Sequence, residues 1–148
     1  MDGSDKAAQD WFADGRICRK PPQTPEPPTM IDSEFARGFA EEWIEAWNSH
    51  DLDRILAHYT DDFEMSSPFI VEIAGDASGT LRGREAVGAY WKRALERMPE
   101  LRFELVDVLV GAQSVVIYYK SVKGRMAAEA LTFDDDGRVV RGSGHYSR

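Results

Sequence analysis

The chain has 148 residues, of which 43% are hydrophobic and 30% charged, with a formal net charge of −8 and a pI near 4.9. This length predicts one folded domain with a real hydrophobic core. The acidic excess excludes an extended nucleic-acid or anionic-membrane surface, because such surfaces need clustered lysine and arginine. No apolar run reaches membrane-spanning length, and the single cysteine, Cys18, excludes an internal disulfide. We therefore expect a soluble cytoplasmic protein.

Residues 1–30 differ in composition from the rest of the chain. They hold five of the seven prolines, which removes amide donors and interrupts any helix. We predict a disordered proline-rich extension over residues 1–30 and a folded domain over residues 31–148. Met30 stands directly before the folded pattern, so translation from Met30 is an alternative explanation of the extension.

Three helices are predicted after the extension. The first runs from Ser33 to about Asn48, because aromatic residues recur there every four positions: Phe35, Phe39, Trp43 and Trp47. The second follows its N-cap Asp51, with an apolar stripe formed by Leu52, Ile55, Leu56 and Tyr59. The third covers about residues 84–98 and stops at Pro99.

The hydrophobic period changes from about 3.6 to 2 after Pro99. This alternation predicts strands near residues 101–106, 114–123, 126–133 and 138–146, preceded by a short strand at 63–66. Glycine-containing turns separate the last three strands. Helices followed by a meander of strands predict an α+β fold with an antiparallel sheet.

The turn before residue 126 predicts which side chains share a face. If Gly124 and Arg125 form a two-residue hairpin loop, Lys120 pairs with Glu129 and Tyr118 with Leu131. All four side chains then lie on the inner face of the curved sheet. Glu129 is then either a cavity carboxyl whose protonation Lys120 tunes, or half of an ordinary salt bridge at the sheet rim.

The sequence contains no motif for a metal or a cofactor. The histidines at positions 50, 58 and 145 have no partner at metal-ligand spacing, and no glycine-rich phosphate loop is present. We therefore expect no metal and no cofactor.

Several motifs occur in an order that resembles the nuclear transport factor 2-like superfamily, in its SnoaL-like and ketosteroid-isomerase-like branch. They are Trp47-Asn48-Ser49-His50-Asp51-Leu52-Asp53, His58-Tyr59-Thr60-Asp61-Asp62-Phe63, Ser67-Pro68, Leu81-Arg82-Gly83-Arg84-Glu85-Ala86-Val87 and Phe133-Asp134-Asp135-Asp136-Gly137-Arg138-Val139-Val140. The resemblance implies a cone, in which a curved antiparallel sheet wraps the long first helix and leaves a central apolar pocket. It also implies a homodimer, which we expect to form through the outer sheet face.

The resemblance also implies a site. Ser67 stands where a ketosteroid isomerase has its aspartate base, and Trp43 stands where it has its oxyanion-binding tyrosine, so steroid isomerisation by that mechanism is not expected. Glu129 occupies the place of the second oxyanion donor, which favours a pocket-facing carboxyl. The pocket is then lined by Trp43, Ser67, Tyr90, Trp91, Tyr118, Lys120, Leu131 and Tyr146.

Three functions follow as hypotheses. The first is a cofactor-independent isomerase, cyclase or hydratase, in which Glu129 shuttles a proton and Tyr118 or Trp43 donates a hydrogen bond to developing oxyanion charge. The second is a non-catalytic binder of an apolar small molecule. The third is a dimerisation module without chemistry, because fold alone does not choose among these roles.

Overall fold

The computed structural model describes residues 30–148, and the disorder predicted for the preceding residues lies outside this range. The helices are α1 (Ser33–Ser49), α2 (Leu52–Leu56) and α3 (Arg84–Arg97). The strands are β1 (Tyr59–Ser66), β2 (Thr80–Arg82), β3 (Glu104–Val110), β4 (Ser114–Lys120), β5 (Met126–Phe133) and β6 (Val139–Tyr146). A π-helical turn (Ile70–Ala74) follows β1, and a 3₁₀ turn (Val122–Gly124) joins β4 to β5.

The six strands form one curved open sheet in the order β2-β1-β6-β5-β4-β3. All neighbours are antiparallel except β1 and β6, which run parallel. The predicted α+β class, with three helices against a curved sheet, is confirmed. The hydrophobic core lies on the inner side of this sheet, against the helices.

Both ends of α1 are held by hydrogen bonds. At its start the Asp32 carboxylate accepts from the Phe35 amide at 2.7 Å, as an N-cap does. At its end Asn48 accepts from the Phe103 amide at 2.7 Å and donates to the Phe103 carbonyl at 3.0 Å. These bonds hold the residues before β3 against the helix, which explains why β3 begins at Glu104 and not at the predicted residue 101.

The second helix is shorter than predicted. Asp51 caps its first turn by accepting from Asp53 and Arg54, but the helix ends at Leu56. Tyr59 already begins β1, since it lies opposite Val139 in the parallel ladder. Pairing with β6 thus overrides the helical spacing that had grouped Tyr59 with α2.

The predicted pairing of β4 with β5 is wrong by three positions. Lys120 lies opposite Met126, and Glu129 lies opposite Ile117. Residues 121–125 form a longer loop, closed by a 2.7 Å bond from the Ser121 amide to the Arg125 carbonyl. A shift by an odd number of positions exchanges the two faces of β4 relative to β5.

Within residues 30–148, no helix is both long enough and apolar enough to cross a membrane.

Candidate functional site

A cavity of about 60 Å³ lies between the inner sheet face, α1, α3 and the segment after β1. Its walls are mostly aromatic and aliphatic: Trp43, Trp47, Met65, Phe69, Ile73, Tyr90, Trp91, Ala94, Met98, Leu101, Phe103, Tyr119, Ser121, Val122, Glu129 and Tyr146. No lysine, arginine or histidine is among these residues. The cavity is therefore an apolar enclosure with one acidic side chain.

Glu129 is that acid. It projects from the inner face of β5, and only 3% of its surface is exposed. Its Oε1 accepts a hydrogen bond from the Tyr119 hydroxyl at 3.2 Å. Burial raises the pKa of Glu129 to about 7, and the Tyr119 hydrogen bond opposes part of this rise. Glu129 thus exchanges protons near neutral pH.

Four tyrosines surround this carboxyl, from four different elements: Tyr59, Tyr90, Tyr119 and Tyr146. Burial, and to a smaller extent the charge of Glu129, raises the pKa of each of them. For Tyr90 the pKa rises to about 12. The four hydroxyls are therefore neutral hydrogen-bond donors at physiological pH, and Glu129 is the group in this ring that titrates there.

A glycine in β6 makes room for the acid. Gly144 pairs with Glu129 across the ladder. A Cβ atom at Gly144 would lie 2.9 Å from the Tyr146 hydroxyl oxygen and 3.4 Å from Glu129 Oε1. The Tyr146 hydroxyl and the Glu129 carboxyl therefore approach each other above Gly144, where no side chain lies between them.

Residues 67–79 cover one side of the cavity, and we call them the cover. The amide of Ser67 donates to the Gly79 carbonyl at 2.9 Å, which closes the base of this segment. Phe69 and Ile73 project from it into the cavity wall. Gly75 and Gly79 have φ values of 75° and 72°, a left-handed conformation that favours glycine.

The cover is anchored in the core by Ile70, which is fully buried. The Phe69 ring lies 4.6 Å from the Tyr146 ring, and the Arg125 guanidinium lies 5.8 Å from the Phe69 centroid. On its other side, Arg93 of α3 donates to the Ile73 carbonyl at 3.0 Å. Phe69 thus separates the cavity from an outer groove of about 420 Å³ lined by Pro68, Phe69, Glu72, Arg125, Tyr146, Ser147 and Arg148.

Five of the sequence-derived site residues lie together around the cavity: Trp43, Tyr90, Trp91, Glu129 and Tyr146. The indole of Trp43 is already engaged, because its Nε1 donates to the Tyr59 hydroxyl at 2.9 Å. It is therefore a wall of the cavity, with no free donor for a ligand.

The other four lie elsewhere. Tyr118 and Lys120 are on the outer sheet face, because the β4 register differs from the predicted one. Lys120 Nζ lies 3.8 Å from Glu104 Oε1, not beside Glu129. Leu131 and Ser67 are buried, but Leu131 packs over Gly142 and the Ser67 hydroxyl accepts from the Phe69 amide at 3.1 Å. Neither of them lines the cavity.

Tyr119, Phe69 and Gly144 were missed by sequence reasoning. Tyr119 takes the inner position assigned to Tyr118, and the alternation of Val115, Ile117 and Tyr119 was the available signal. The two glycines spaced two apart in β6 were a signal for close approach on one face. Nothing in the local sequence marked Phe69 as a cavity residue.

Among residues 30–148, no group of three or more His, Cys, Asp or Glu side chains is arranged to hold a metal ion.

Solved structures of several other proteins are similar to this chain, and three of them are described below. A SnoaL-like protein of unknown function from Burkholderia thailandensis shares 55% identity, with a TM-score of 0.78, and covers 80% of this chain and 99% of its own. A candidate ketosteroid isomerase from Kribbella flavida has 16% identity and a TM-score of 0.62, covering 79% and 81%. A protein of unknown function with a cystatin-like fold from Methylobium petroleophilum has 16% identity and a TM-score of 0.64, covering 80% of each chain.

At these identities the last two show the fold alone, which is the cystatin-like fold. A comparison with curated proteins finds no match. The model of the SnoaL-like domain matches residues 40–146, which is most of the chain and includes the whole cavity lining. The chain therefore belongs to the SnoaL-like family.

Proposed function

We propose that the protein binds a small, largely apolar molecule in the cavity and that Glu129 transfers a proton to or from it. The reaction class is a cofactor-independent isomerisation, cyclisation or hydration. The observation that carries this proposal is a fully enclosed carboxyl, with a pKa of about 7, inside an aromatic wall. A general acid or base works best when its pKa lies near the working pH.

The neutral tyrosines supply the hydrogen-bond donor that such a reaction needs to stabilise a developing oxyanion. Tyr118 is excluded as the oxyanion donor because it lies on the outer face, and Trp43 donates to Tyr59. Tyr146 is the donor that we assign, since its hydroxyl and the Glu129 carboxyl share the space over Gly144. A hydroxyl placed there would stabilise negative charge that develops as Glu129 removes a proton.

Ligand entry requires the cover to move. A cavity of about 150 Å³ accommodates benzene in another protein, whereas this cavity measures about 60 Å³. Phe69 of the cover lines both the cavity and the outer groove, and the two left-handed glycines of the cover are positions at which a hinge can form. We propose that displacement of Phe69 joins the cavity to the groove.

The first test is thermal unfolding of the full chain with a panel of steroids, polyketides, terpenoids and aromatic acids. A ligand at about 100 times its dissociation constant adds about 2.7 kcal/mol to the free energy of unfolding. A shift produced by one chemical class identifies the scaffold. No shift from any class contradicts the pocket function.

The second test separates catalysis from binding, with Glu129→Gln assayed on the ligand found. This variant keeps the shape of the side chain but cannot transfer a proton, so we expect turnover to be lost while the ligand still stabilises the fold. Glu96→Gln, an exposed carboxyl on α3 outside the cavity and the outer groove, is the matched control. Unchanged turnover in Glu129→Gln contradicts the acid–base role.

A second function, binding without catalysis, is favoured by the identity and the hydrogen bonding of Ser67. This residue occupies the position of a catalytic base in the resembling isomerases, yet its hydroxyl accepts from the Phe69 amide. A ligand that binds without conversion by the wild type supports this function. Measuring chemical change of the bound ligand by mass spectrometry decides between the two.

We also propose that the chain forms a homodimer through the outer sheet face. Leu109 and Val116 pair there, and Leu109 and Tyr118 are 53% and 38% exposed. Apolar side chains exposed on a sheet face are typical of an interface. Tyr118→Glu should reduce the mass measured by light scattering to that of a monomer, whereas Lys123→Glu, in the exposed turn, should not. A monomeric wild type contradicts this proposal.

A further inference from the structure

We infer that the ligand carries a positive charge, as a small organic ammonium group held between Glu129 and the aromatic rings of the cavity. This inference rests on the proposed small-molecule function of the same site and adds the chemical class of the ligand.

The first observation is that Glu129 has no countercharge. Its one described hydrogen bond comes from a neutral hydroxyl, that of Tyr119, at 3.2 Å. No cationic side chain lines the cavity. Buried charges in proteins are normally paired, because an isolated carboxylate is costly to remove from water. A cationic ligand would supply the missing partner.

The second observation is the kind of wall that surrounds the acid. The rings of Trp47 and Trp91 lie 5.2 Å apart, and those of Trp43 and Tyr119 lie 5.3 Å apart, so the lining is a continuous aromatic cluster. A cation is attracted to the negative face of an aromatic ring, most strongly to tryptophan. A cluster of such rings next to a carboxylate matches the needs of an alkylated ammonium group.

Size and overall charge point to the same ligand class. At about 60 Å³ the cavity is far smaller than sites for drug-sized molecules, which measure about 300–1,000 Å³. A compact head group therefore needs the least displacement of Phe69, with any tail passing into the outer groove. The net charge of −8 raises the local concentration of cations around the protein.

A cationic ligand would change the protonation of Glu129. An ammonium group beside Glu129 favours the ionised carboxylate over the carboxylic acid. The bound ligand would thus convert Glu129 into its basic form. The protein would use the charge of its own substrate to prepare the base.

The test compares choline with 3,3-dimethylbutan-1-ol, in which a carbon atom replaces the charged nitrogen. Isothermal titration of the full chain at about pH 8, where Glu129 is mostly ionised, measures both affinities. We expect choline to bind at least about tenfold more tightly than its neutral analogue. Glu129→Gln should abolish this preference, whereas Glu96→Gln, an exposed carboxyl on α3 outside the cavity and the outer groove, should retain it.

The pH dependence provides a second readout. If choline binds the ionised form, its affinity should fall about tenfold for each pH unit below the pKa of Glu129 and level off above it. The groups that face Glu129 from β1, α3, β4 and β6 are Tyr59, Tyr90, Tyr119 and Tyr146, which all stay neutral in this range. Glu129→Gln should show no such dependence.

Equal affinities in the wild type, or a preference that survives Glu129→Gln, would overturn the inference. So would the absence of choline binding while a neutral compound of the panel stabilises the protein, an outcome that leaves the pocket function intact. If neither choline nor any panel compound binds, both the inference and the proposed function fail.

Discussion

Glu42 and Glu129 have the same side chain in opposite surroundings. Glu42 lies on α1 near the surface, where Arg54 donates to both of its oxygens at 2.8 and 2.9 Å. His58 Nε2 lies 3.4 Å from Glu42 Oε2. Glu129 is enclosed, with only the Tyr119 hydroxyl as partner.

The pKa values follow from these surroundings. The Arg54 hydrogen bonds lower the pKa of Glu42, whereas burial raises the pKa of Glu129 to about 7. Burial also lowers the pKa of His58, so that this ring favours its neutral form. Glu42 joins α1 to α2 and contributes to the fold, whereas the unpaired acid costs stability. A buried acid that lowers the stability of the fold and lines a cavity indicates a functional site, because strongly shifted pKa values cluster at such sites.

The largest expected effect is on the pH dependence of stability. The folded pKa of Glu129 is raised from 4.5 to about 7, so the folded state binds more protons than the unfolded state in that window. The free energy of unfolding should therefore fall by about 3 kcal/mol as pH rises through it. Urea unfolding of the wild type and Glu129→Gln measures this, and the difference should grow from acid to neutral pH. A difference that does not change with pH contradicts the raised pKa.

Tyr119→Phe should lower the free energy of unfolding, by less than the ionisation of Glu129 lowers it. It removes the one described donor to Glu129 and should cost about 1 kcal/mol, with a further rise in the pKa of the acid. Urea unfolding across the same pH range measures both. Tyr118→Phe is the matched control, since that side chain lies on the outer face. An equal effect of the two substitutions would contradict the observed register.

Glu42→Gln should show the opposite pH dependence. Because the folded pKa of Glu42 lies below its ordinary value of 4.5, its stabilisation is present above that pH and is lost as pH falls through the folded pKa. The effect should not exceed about 1 kcal/mol, since the pair is partly exposed. Urea unfolding below and above pH 4.5 measures it. A destabilisation by Glu42→Gln that persists unchanged well below pH 4.5 would contradict this assignment.

Added salt should produce the smallest change in the free energy of unfolding, and this change should differ between Glu42 and Glu129. Added sodium chloride screens the partly exposed pair of Glu42 and Arg54 and should reduce its contribution by a few tenths of a kcal/mol. The contribution of enclosed Glu129 should change less. The comparison is made by repeating the unfolding of Glu42→Gln and Glu129→Gln at low and high salt. Equal sensitivity would indicate that Glu129 is accessible to solvent.

Much of the fold could be predicted because it depends on local patterns. The aromatic spacing of α1 predicted a helix with one buried face, and the alternation within β5 placed Glu129 on the same side as Leu131 and Phe133. The β4 register could not be predicted, because it depends on a loop in which Lys123 adopts a φ of 57°. The predicted register therefore assigned Tyr118 and Lys120 to the inner face, whereas both lie on the outer face.

The sequence by itself therefore determined the three helices, the strands of the meander, the inward side of α1 and β5, and the acidic character of the site. These properties depend on the spacing of apolar residues along the sequence, and the period of that spacing differs between helices and strands. Tertiary structure alone decided that Tyr119 donates to Glu129, that Trp43 donates to Tyr59, and that Phe69 and Ile73 of the cover line the cavity. These contacts join residues far apart in the chain, and their distances depend on how the loops end and how the sheet curves.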